Sequence, residues 1–243
     1  MLFAKLAASL RPAEKWLLPG ECLQCHSAVG PDDPLVCAPC QSRWRRLPEP
    51  QCPRCGQPML AAPDACRVCA AWPDGLMRVR SAVWLDANAR GAVHLLKYAG
   101  WWRVADPMAR LMARLDPALH PGILVPVPLG SKRARARGYN QAEELAMALG
   151  RHAGIAVDTS LLTRGRETPS QTALAPEARR ANIADAFECR ALHPRAHVVL
   201  VDDVFTTGAT LVEAANTLLE AGAVTVDAVT FARAQPPLGK PDS

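Results

Sequence analysis

Long apolar runs are missing from this sequence of 243 residues, although 49% of the residues are hydrophobic. No stretch approaches the roughly 18–20 uninterrupted apolar residues that a membrane-crossing helix needs, so we expect no membrane span. Charged side chains also interrupt residues 1–19, which argues against the continuous apolar segment of a secretory signal peptide. We therefore expect a cytoplasmic protein in which residues 1–20 form a short amphipathic helix.

Two common nucleotide-binding motifs are absent as well. The sequence contains no Gly-x-x-x-x-Gly-Lys-Ser/Thr phosphate loop and no Gly-x-Gly-x-x-Gly dinucleotide-binding turn. Any phosphate-binding loop in this chain must therefore have a different pattern.

Cysteine, in contrast, is frequent and regularly placed. Eight of the nine cysteines form four Cys-x-x-Cys pairs, namely Cys22/Cys25, Cys37/Cys40, Cys52/Cys55 and Cys66/Cys69. In a reducing compartment such pairs indicate metal ligation rather than disulfides. Because two pairs complete one tetrahedral Zn²⁺ site, four pairs predict two zinc sites. The remaining cysteine, Cys189, is interpreted as a buried apolar side chain.

How the four pairs combine is open at this point. We favour sequential pairing, in which Cys22, Cys25, Cys37 and Cys40 form one site and the other four paired cysteines form the second. A cross-braced arrangement, first pair with third and second with fourth, is the alternative. Four cysteines also suit iron–sulfur clusters. Since four thiolates leave no coordination position for water, we interpret both sites as structural.

Residues 21–75 are rich in Cys, Pro and Gly and lack apolar periodicity, so they predict a small zinc-ribbon module that depends on its metal. The near-regular spacing of the pairs indicates two copies of one unit, and Gly56 fits the turn that closes a knuckle. Zinc-bound thiolates make this module formally negative, which disfavours it as the main nucleic-acid surface. For Trp44 and Trp72 we favour core packing over stacking on bases.

From residue 77 to residue 235 apolar strands alternate with helical patterns. The predicted strands lie at 79–85, 122–128, 161–162, 197–201 and 224–231, and the predicted helices at 89–98, 104–115, 141–151 and 212–221. This alternation predicts an α/β domain with a mostly parallel sheet flanked by helices. Residues 236–243 are interpreted as a flexible tail.

Residues 198–210 carry the strongest functional signal. A buried apolar strand is followed by two acids, then by a Thr- and Gly-containing loop, then by a helix. Such a loop presents backbone N–H groups and the positive end of a helix dipole to an anion. The candidate residues of this sugar-phosphate site are Asp202, Asp203, Thr206, Thr207, Gly208, Ala209 and Thr210.

A basic segment follows the strand predicted at 122–128. Lys132, Arg133, Arg135 and Arg137 lie within six residues, and we interpret them as a loop that binds pyrophosphate or nucleic acid. A second set of arginines is formed by Arg164, Arg166, Arg179 and Arg180. Because loops after parallel strands meet at one edge of a sheet, we expect both sets near the candidate phosphate loop. A solvated basic face is the alternative interpretation.

These motifs together resemble a known family. Residues 198–210 look like the phosphoribosyl pyrophosphate signature of type I phosphoribosyltransferases. The chain as a whole, over roughly residues 15–233, resembles the ComF/GntX family, which joins a double zinc ribbon to a type I phosphoribosyltransferase-like domain. The further matching stretches are Leu96-Lys97-Tyr98-Ala99-Gly100, Val125-Pro126-Val127-Pro128-Leu129, Arg137-Gly138-Tyr139-Asn140-Gln141, and Thr168-Pro169-Ser170-Gln171 with Arg180 and Asn182.

The resemblance implies that Asp202 and Asp203 face ribose hydroxyls and that residues 206–210 hold a 5′-phosphate. It places a pyrophosphate-binding turn at 127–130 and a mobile flap at 164–180, with Mg²⁺ accompanying phosphoribosyl pyrophosphate. It also implies a competence-type protein that handles single-stranded DNA. The alternative is an active Mg²⁺-dependent phosphoribosyltransferase with an unknown acceptor. A third hypothesis is a scaffold for a competence helicase or recombination partner, and the sequence assigns no catalytic residue.

Overall fold

The computed structural model describes residues 20–30, 35–59, 66–115, 122–165, 186–190 and 196–235. The predicted N-terminal helix lies outside the described residues apart from Gly20, and the predicted tail lies outside them entirely. Most of the predicted flap lies outside them too, as do Arg166, Arg179 and Arg180.

Within the described residues of the Cys-rich part, the chain forms helix α1 (Ala38–Ser42). The elements that follow are, in chain order, β1 (Leu76–Trp84), α2 (Ala87–Tyr98), a 3₁₀ turn (Trp102–Val104), α3 (Ala105–Met112), β2 (Ile123–Pro126), α4 (Ser131–Arg137), α5 (Gln141–Ala153), β3 (Leu162–Arg164), β4 (Phe187–Cys189), β5 (His197–Phe205), α6 (Ala209–Glu220) and β6 (Thr225–Arg233).

Four strands form one sheet in the order β1-β6-β5-β2, and all of its pairs are parallel. The predicted parallel sheet is therefore confirmed. Because parallel strands end at the same edge of a sheet, the carboxyl ends of β2 and β5 lie side by side. Val127 extends this pairing, since its amide donates to the Val201 carbonyl at 2.9 Å.

The continuous apolar run in β5 is explained by burial on both faces. Val199 and Val201 point into a core formed with α2, α3 and α5, whereas Val198 and Leu200 point into a second core formed with α6. Side chains alternate between the faces of a strand, and a parallel sheet covered on both faces needs apolar residues at every position.

Strand β5 is longer than predicted. It continues past Val201 to Phe205, because Asp202 pairs with Thr230 and Phe205 pairs with Arg233 of β6. The two acids therefore lie within the strand, near its carboxyl end, and the loop begins only at Thr206.

The basic segment is a helix rather than the predicted loop. Residues 131–137 form α4, which ends at Gly138 with φ of +81°. The alternation of Arg with Ala favours a helix, and Arg135 and Arg137 lie in the last turn, where cations interact favourably with the helix dipole.

Strands β3 and β4 form a two-stranded antiparallel sheet. Of these two strands, only β3 was predicted. Strand β4 has just three residues, too few for a recognisable alternation. Cys189 at its end is half-buried and its Sγ donates to the Arg190 carbonyl at 3.0 Å, so its interpretation as a buried apolar side chain was wrong.

The Cys-rich part covers the outer edge of β1. The Val79 amide donates to the Arg54 carbonyl at 2.8 Å, and the Trp84 amide donates to the Arg45 carbonyl at 2.7 Å. An exposed edge strand is a site for unwanted pairing with other chains. The Cys-rich residues therefore belong to the architecture of the sheet as well as to the metal sites.

Candidate metal centres and anion-binding loop

The eight paired cysteines form two clusters in which all sulfurs lie within 4.8 Å of one another. Cys22, Cys25, Cys37 and Cys40 form the first, and Cys52, Cys55, Cys66 and Cys69 form the second. The sequential pairing is confirmed, and the cross-braced alternative was wrong.

The sulfur spacing fits zinc. The distance is 3.6 Å between Cys25 and Cys37, 3.8 Å between Cys52 and Cys69, and 3.6 Å between Cys55 and Cys66. A regular tetrahedron with Zn–S bonds of about 2.3 Å has edges of about 3.8 Å. Each cluster could therefore hold one Zn²⁺ with four thiolates, which makes both sites structural.

The two clusters are built by the same backbone unit. In the first, the Cys22 amide donates to the Ser27 carbonyl at 2.8 Å, and in the second the Cys52 amide donates to the Gln57 carbonyl at 2.8 Å. The residue after each first pair has a positive φ, 59° at His26 and 68° at Gly56. Gly56 is required because a Cβ there would lie 2.8 Å from the Val79 carbonyl oxygen. The predicted duplication of one unit is confirmed.

Trp44 and Trp72 pack in the core, as predicted. Trp44 meets the ring of Phe231 edge-on at 5.0 Å, on the face of the sheet covered by α2, α3 and α5. Trp72 lies 6.1 Å from Phe205 on the opposite face. Since Trp44 is 3% and Trp72 is 8% exposed, neither offers a free ring face to a nucleic-acid base.

The candidate anion-binding loop, residues 206–208, joins β5 to α6. No hydrogen bond from the amides of Thr206, Thr207 or Gly208 is found among the described residues. Thr206 is exposed, and Thr207 Oγ1 accepts from the Ala209 amide at 3.4 Å. Three successive amides at the start of a helix are therefore available to an anion, which is the arrangement that helix N-termini use for phosphates.

Gly208 is fixed by its neighbours. Its φ is +79°, and a Cβ at this position would lie 2.9 Å from the Phe205 ring and 3.2 Å from Trp72. The loop therefore rests directly on a side chain of the second cysteine unit. Packing within the protein therefore requires a glycine at this candidate phosphate-binding position.

The two acids differ in their surroundings. Asp203 is 3% exposed, and the Lys97 Nζ lies 2.7 Å from its Oδ2. Burial, followed by the neighbouring Asp203 carboxylate, raises the pKa of Asp202 to about 8. Asp202 Oδ1 accepts a hydrogen bond from the Asp203 amide at 2.8 Å. The pair therefore combines Asp203, which contacts Lys97, with Asp202, whose raised pKa favours the protonated carboxyl near neutral pH.

Lys97 also connects the acids to the basic helix. The next residue, Tyr98, is 66% exposed, and the Arg137 guanidinium lies 5.3 Å from its ring centroid. The Tyr139 hydroxyl donates to the Leu96 carbonyl, which ties the residues after α4 to the end of α2. Of the predicted basic residues, the structure thus brings Arg137 close to the lysine that holds Asp203.

The remaining predicted basic residues lie along α4, which has no buried residue. Lys132 and Arg135 are exposed, whereas Arg133 is partly buried. The predicted turn at 127–130 precedes this helix, and Asn140 Nδ2 donates to the Val127 carbonyl at 3.0 Å. Arg164 of the second set lies at the end of β3, where its guanidinium stacks 5.3 Å from the Phe187 ring.

Sequence reasoning missed three residues of this region. Lys97 and Tyr98 stood only within a matching motif, without a role, and Trp102 was not considered. Trp102 is 44% exposed, with the Arg103 guanidinium 5.7 Å from its ring centroid. The short Lys-Tyr and Trp-Trp-Arg sequences were the available signal, but no periodic pattern identifies which aromatic rings stay exposed.

Comparison with known proteins agrees with both halves of this architecture. A family model described as "Double zinc ribbon domain" matches residues 13–71. The DNA utilization protein YhgH of Salmonella typhimurium is 34% identical over 216 residues, covering 86% of this chain and 95% of that protein. Competence protein ComFC of Bacillus subtilis is 27% identical, covering 87% and 94%. Competence protein F of Haemophilus influenzae is 26% identical, covering 88% and 96%.

Among solved structures, the protein TT1426 from Thermus thermophilus aligns with a TM-score of 0.32 and 16% identity, covering 56% of this chain and 85% of that one.

Fold and sites together define a double zinc ribbon joined to an α/β domain with a parallel sheet. Within that class, the chain belongs to the ComF family, the family of the YhgH and ComFC proteins. None of the helices in the described ranges is long and apolar enough to cross a membrane.

Proposed function

We propose that this protein handles DNA and that it binds a phosphoribosyl or 5′-phosphate group at the loop formed by residues 206–210. The observation that carries the proposal is the set of amides at Thr206, Thr207 and Gly208, which lack a partner within the described ranges and lie next to the acid pair Asp202 and Asp203. The amides suit the phosphate, and the carboxyl groups suit vicinal ribose hydroxyls. The names of the relatives, DNA utilization protein and competence protein, support a role in using or taking up DNA.

Mg²⁺ fits this proposal as the partner of a phosphoribosyl pyrophosphate. The two acids could supply carboxylate oxygens, which are preferred Mg²⁺ ligands, once Asp202 has lost its proton, and the pyrophosphate would supply the others. Residues of this chain would therefore orient the sugar while the metal neutralises the phosphate charge.

Single-stranded DNA fits the surface beside the loop. Tyr98 and Trp102 are exposed aromatic rings, and the Arg137 and Arg103 guanidinium groups lie against them. Bases stack on such rings while arginines contact phosphates, a combination that tolerates any sequence. The basic helix α4 continues this surface with Lys132, Arg133 and Arg135.

Calorimetric titration with phosphoribosyl pyrophosphate and Mg²⁺ tests the ligand. Asp202→Asn/Asp203→Asn should weaken binding at least about tenfold because the charge-assisted hydrogen bonds to ribose are lost. Asp74→Asn/Glu220→Gln removes two exposed acids instead and should leave binding unchanged. Equal binding by wild type and the first variant would refute this part of the proposal.

The same preparation separates a binding protein from a transferase. With a panel of nucleobases, we expect binding without release of pyrophosphate. Pyrophosphate release that depends on one base would establish the alternative, an active Mg²⁺-dependent phosphoribosyltransferase.

Binding of fluorescent oligo(dT) tests the nucleic-acid partner. We expect affinity to fall steeply with salt, and Arg133→Ala/Arg135→Ala/Arg137→Ala should reduce the log–log salt slope by roughly 2. The matched control, Arg43→Ala/Arg67→Ala/Arg190→Ala, removes three exposed arginines elsewhere. Binding that ignores salt, or equal effects of the two triple variants, would exclude α4 as the DNA contact.

A further inference from the structure

A second cationic site lies between the first cysteine unit and α3. A cavity of about 470 Å³ is lined by Trp44, Pro107, Leu111 and four arginines, with Gln41 and Ser42 at its margin. The arginines are Arg45, Arg46, Arg110 and Arg114. The cavity shares no lining residue with the anion-binding loop, with the acid pair or with α4.

The charge in this cavity is poorly compensated. Its lining residues include no carboxylate, and among the described residues Arg45, Arg46 and Arg114 have no acidic partner within ion-pair distance. Arg110 lies 3.5 Å from Asp106, but Asp106 also contacts His152 at 3.1 Å and Arg151 at 3.9 Å. Guanidinium groups gathered without counter-charges create a strong positive potential.

A buried hydrogen-bond donor adds an independent observation. Trp44 is 3% exposed, and its Nε1 has no hydrogen-bond partner among the described residues. A buried N–H without an acceptor costs free energy, so such groups are uncommon and often mark a missing partner. Trp44 lines the cavity, and an anionic oxygen bound there would be a suitable acceptor.

The volume of the cavity and the chemistry of its lining indicate which class of ligand it could bind. The volume falls within the range of small-molecule sites, about 300–1,000 Å³, which exceeds the needs of a single orthophosphate. Arginine binds phosphate oxygens through paired N–H groups, and the apolar surface of Pro107 and Leu111 suits a sugar or base. We propose that this cavity is a second phosphate-binding site, which takes adjacent phosphate groups of a polyphosphate or of a DNA strand.

The test uses the full-length zinc-loaded protein and two probes, inorganic tripolyphosphate and oligo(dT). Arg45→Ala/Arg114→Ala removes one arginine from each wall of the cavity and should weaken binding of at least one probe about tenfold, since charge-assisted hydrogen bonds are lost. Arg43→Ala/Arg67→Ala is the matched control, because both arginines are exposed on the cysteine units and do not line the cavity. Zinc content and melting temperature establish that each variant is folded.

The probes distinguish the sources of phosphate. Weakening of oligo(dT) alone, with a salt slope reduced by roughly 1.4, supports a DNA strand as the ligand. Weakening of tripolyphosphate alone supports a free polyanion. Unchanged binding of both probes, or equal losses in the control, would overturn the proposal. The outcome is independent of the anion-binding loop, because Asp202→Asn/Asp203→Asn leaves the four arginines in place.

Discussion

The two cysteine units share one backbone design but differ in how they are held. In the first unit Cys25 is exposed and Cys37 is partly buried, whereas in the second Cys52, Cys55 and Cys69 are all buried. The second unit is also tied down by arginines. Arg54 donates to carbonyls of Cys69, Trp72, Pro73 and Leu76, and Arg233 of β6 donates to the Cys55 carbonyl at 2.8 Å.

This difference shows how a duplicated unit acquires two roles. Trp72 of the second unit packs against Phe205 and Gly208, next to the candidate anion-binding loop. The first unit instead contributes Trp44, Arg45 and Arg46 to the cationic cavity. The metal sites are alike, so the distinction arises from what each unit packs against.

Removing one zinc ligand from each unit should give the largest difference in stability between the two units. Cys55→Ser should lose the second zinc and unfold the neighbouring loop. Structural zinc binds with a free energy of about 10–16 kcal/mol, which matches or exceeds the stability of a whole domain. Cys25→Ser, at an exposed position, should release its zinc more easily but leave the sheet folded. Zinc content and thermal unfolding measure both. Equal melting temperatures for the two variants would show that the units are equivalent.

Arg233 tests the link between the second unit and the sheet. It is 1% exposed and stacks 4.0 Å from the Phe205 ring centroid. Arg233→Met keeps the apolar length but leaves the Cys55 carbonyl and Gln57 without donors, so we expect a loss of about 2–4 kcal/mol. Denaturant unfolding measures the loss. Arg90→Met, at an exposed position, is the control and should change stability by less than about 0.5 kcal/mol.

Gly208→Ala tests the contact between the loop after β5 and Trp72 of the second cysteine unit. The new methyl group would meet Phe205 and Trp72 and would be held at a positive φ, so we expect about 2–3 kcal/mol of destabilisation together with weaker ligand binding. Gly154→Ala has a similar φ of +70° but no atom within 4 Å, so only the backbone penalty of about 1 kcal/mol should remain. Urea unfolding of both variants compares them directly, and identical losses would argue against the packing contact.

Asp202→Asn should raise the stability of the protein, whereas the preceding variants should lower it. A folded pKa of about 8 lies above the unfolded value of about 3.9, so the wild type loses stability as pH rises between these values. The neutral amide avoids this loss. We expect Asp202→Asn to be more stable by about 1–3 kcal/mol at pH 8 and by little near pH 4, while ligand affinity falls. Stability curves at several pH values measure the difference, and a destabilised variant at pH 8 would contradict the assignment.

The sequence was most informative where chemistry imposes spacing. Paired cysteines predicted the two metal clusters, and the apolar run ending in Asp202 and Asp203 predicted the central strand and the loop after it. Both signals are local, because a knuckle or a strand–loop–helix transition is set by a few consecutive residues.

Contacts between distant segments could not be predicted in the same way. Lys97 meets Asp203 only because α2 ends beside β5, and α4 was assigned as a loop because seven basic and small residues have no apolar face. The cationic cavity combines residues near 45 with residues near 110, each set unremarkable by itself. Such sites emerge only after the packing of elements is known.

The most direct measurement of the central claim is the change in backbone amide NMR signals on titration with ribose 5-phosphate. We expect the largest shifts at Thr206, Thr207 and Gly208, the three amides that lack a partner within the described structure. Smaller shifts should follow at Lys97 and the acid pair. Unshifted loop amides alongside saturable shifts elsewhere would contradict the account, because the ligand would then bind without the loop.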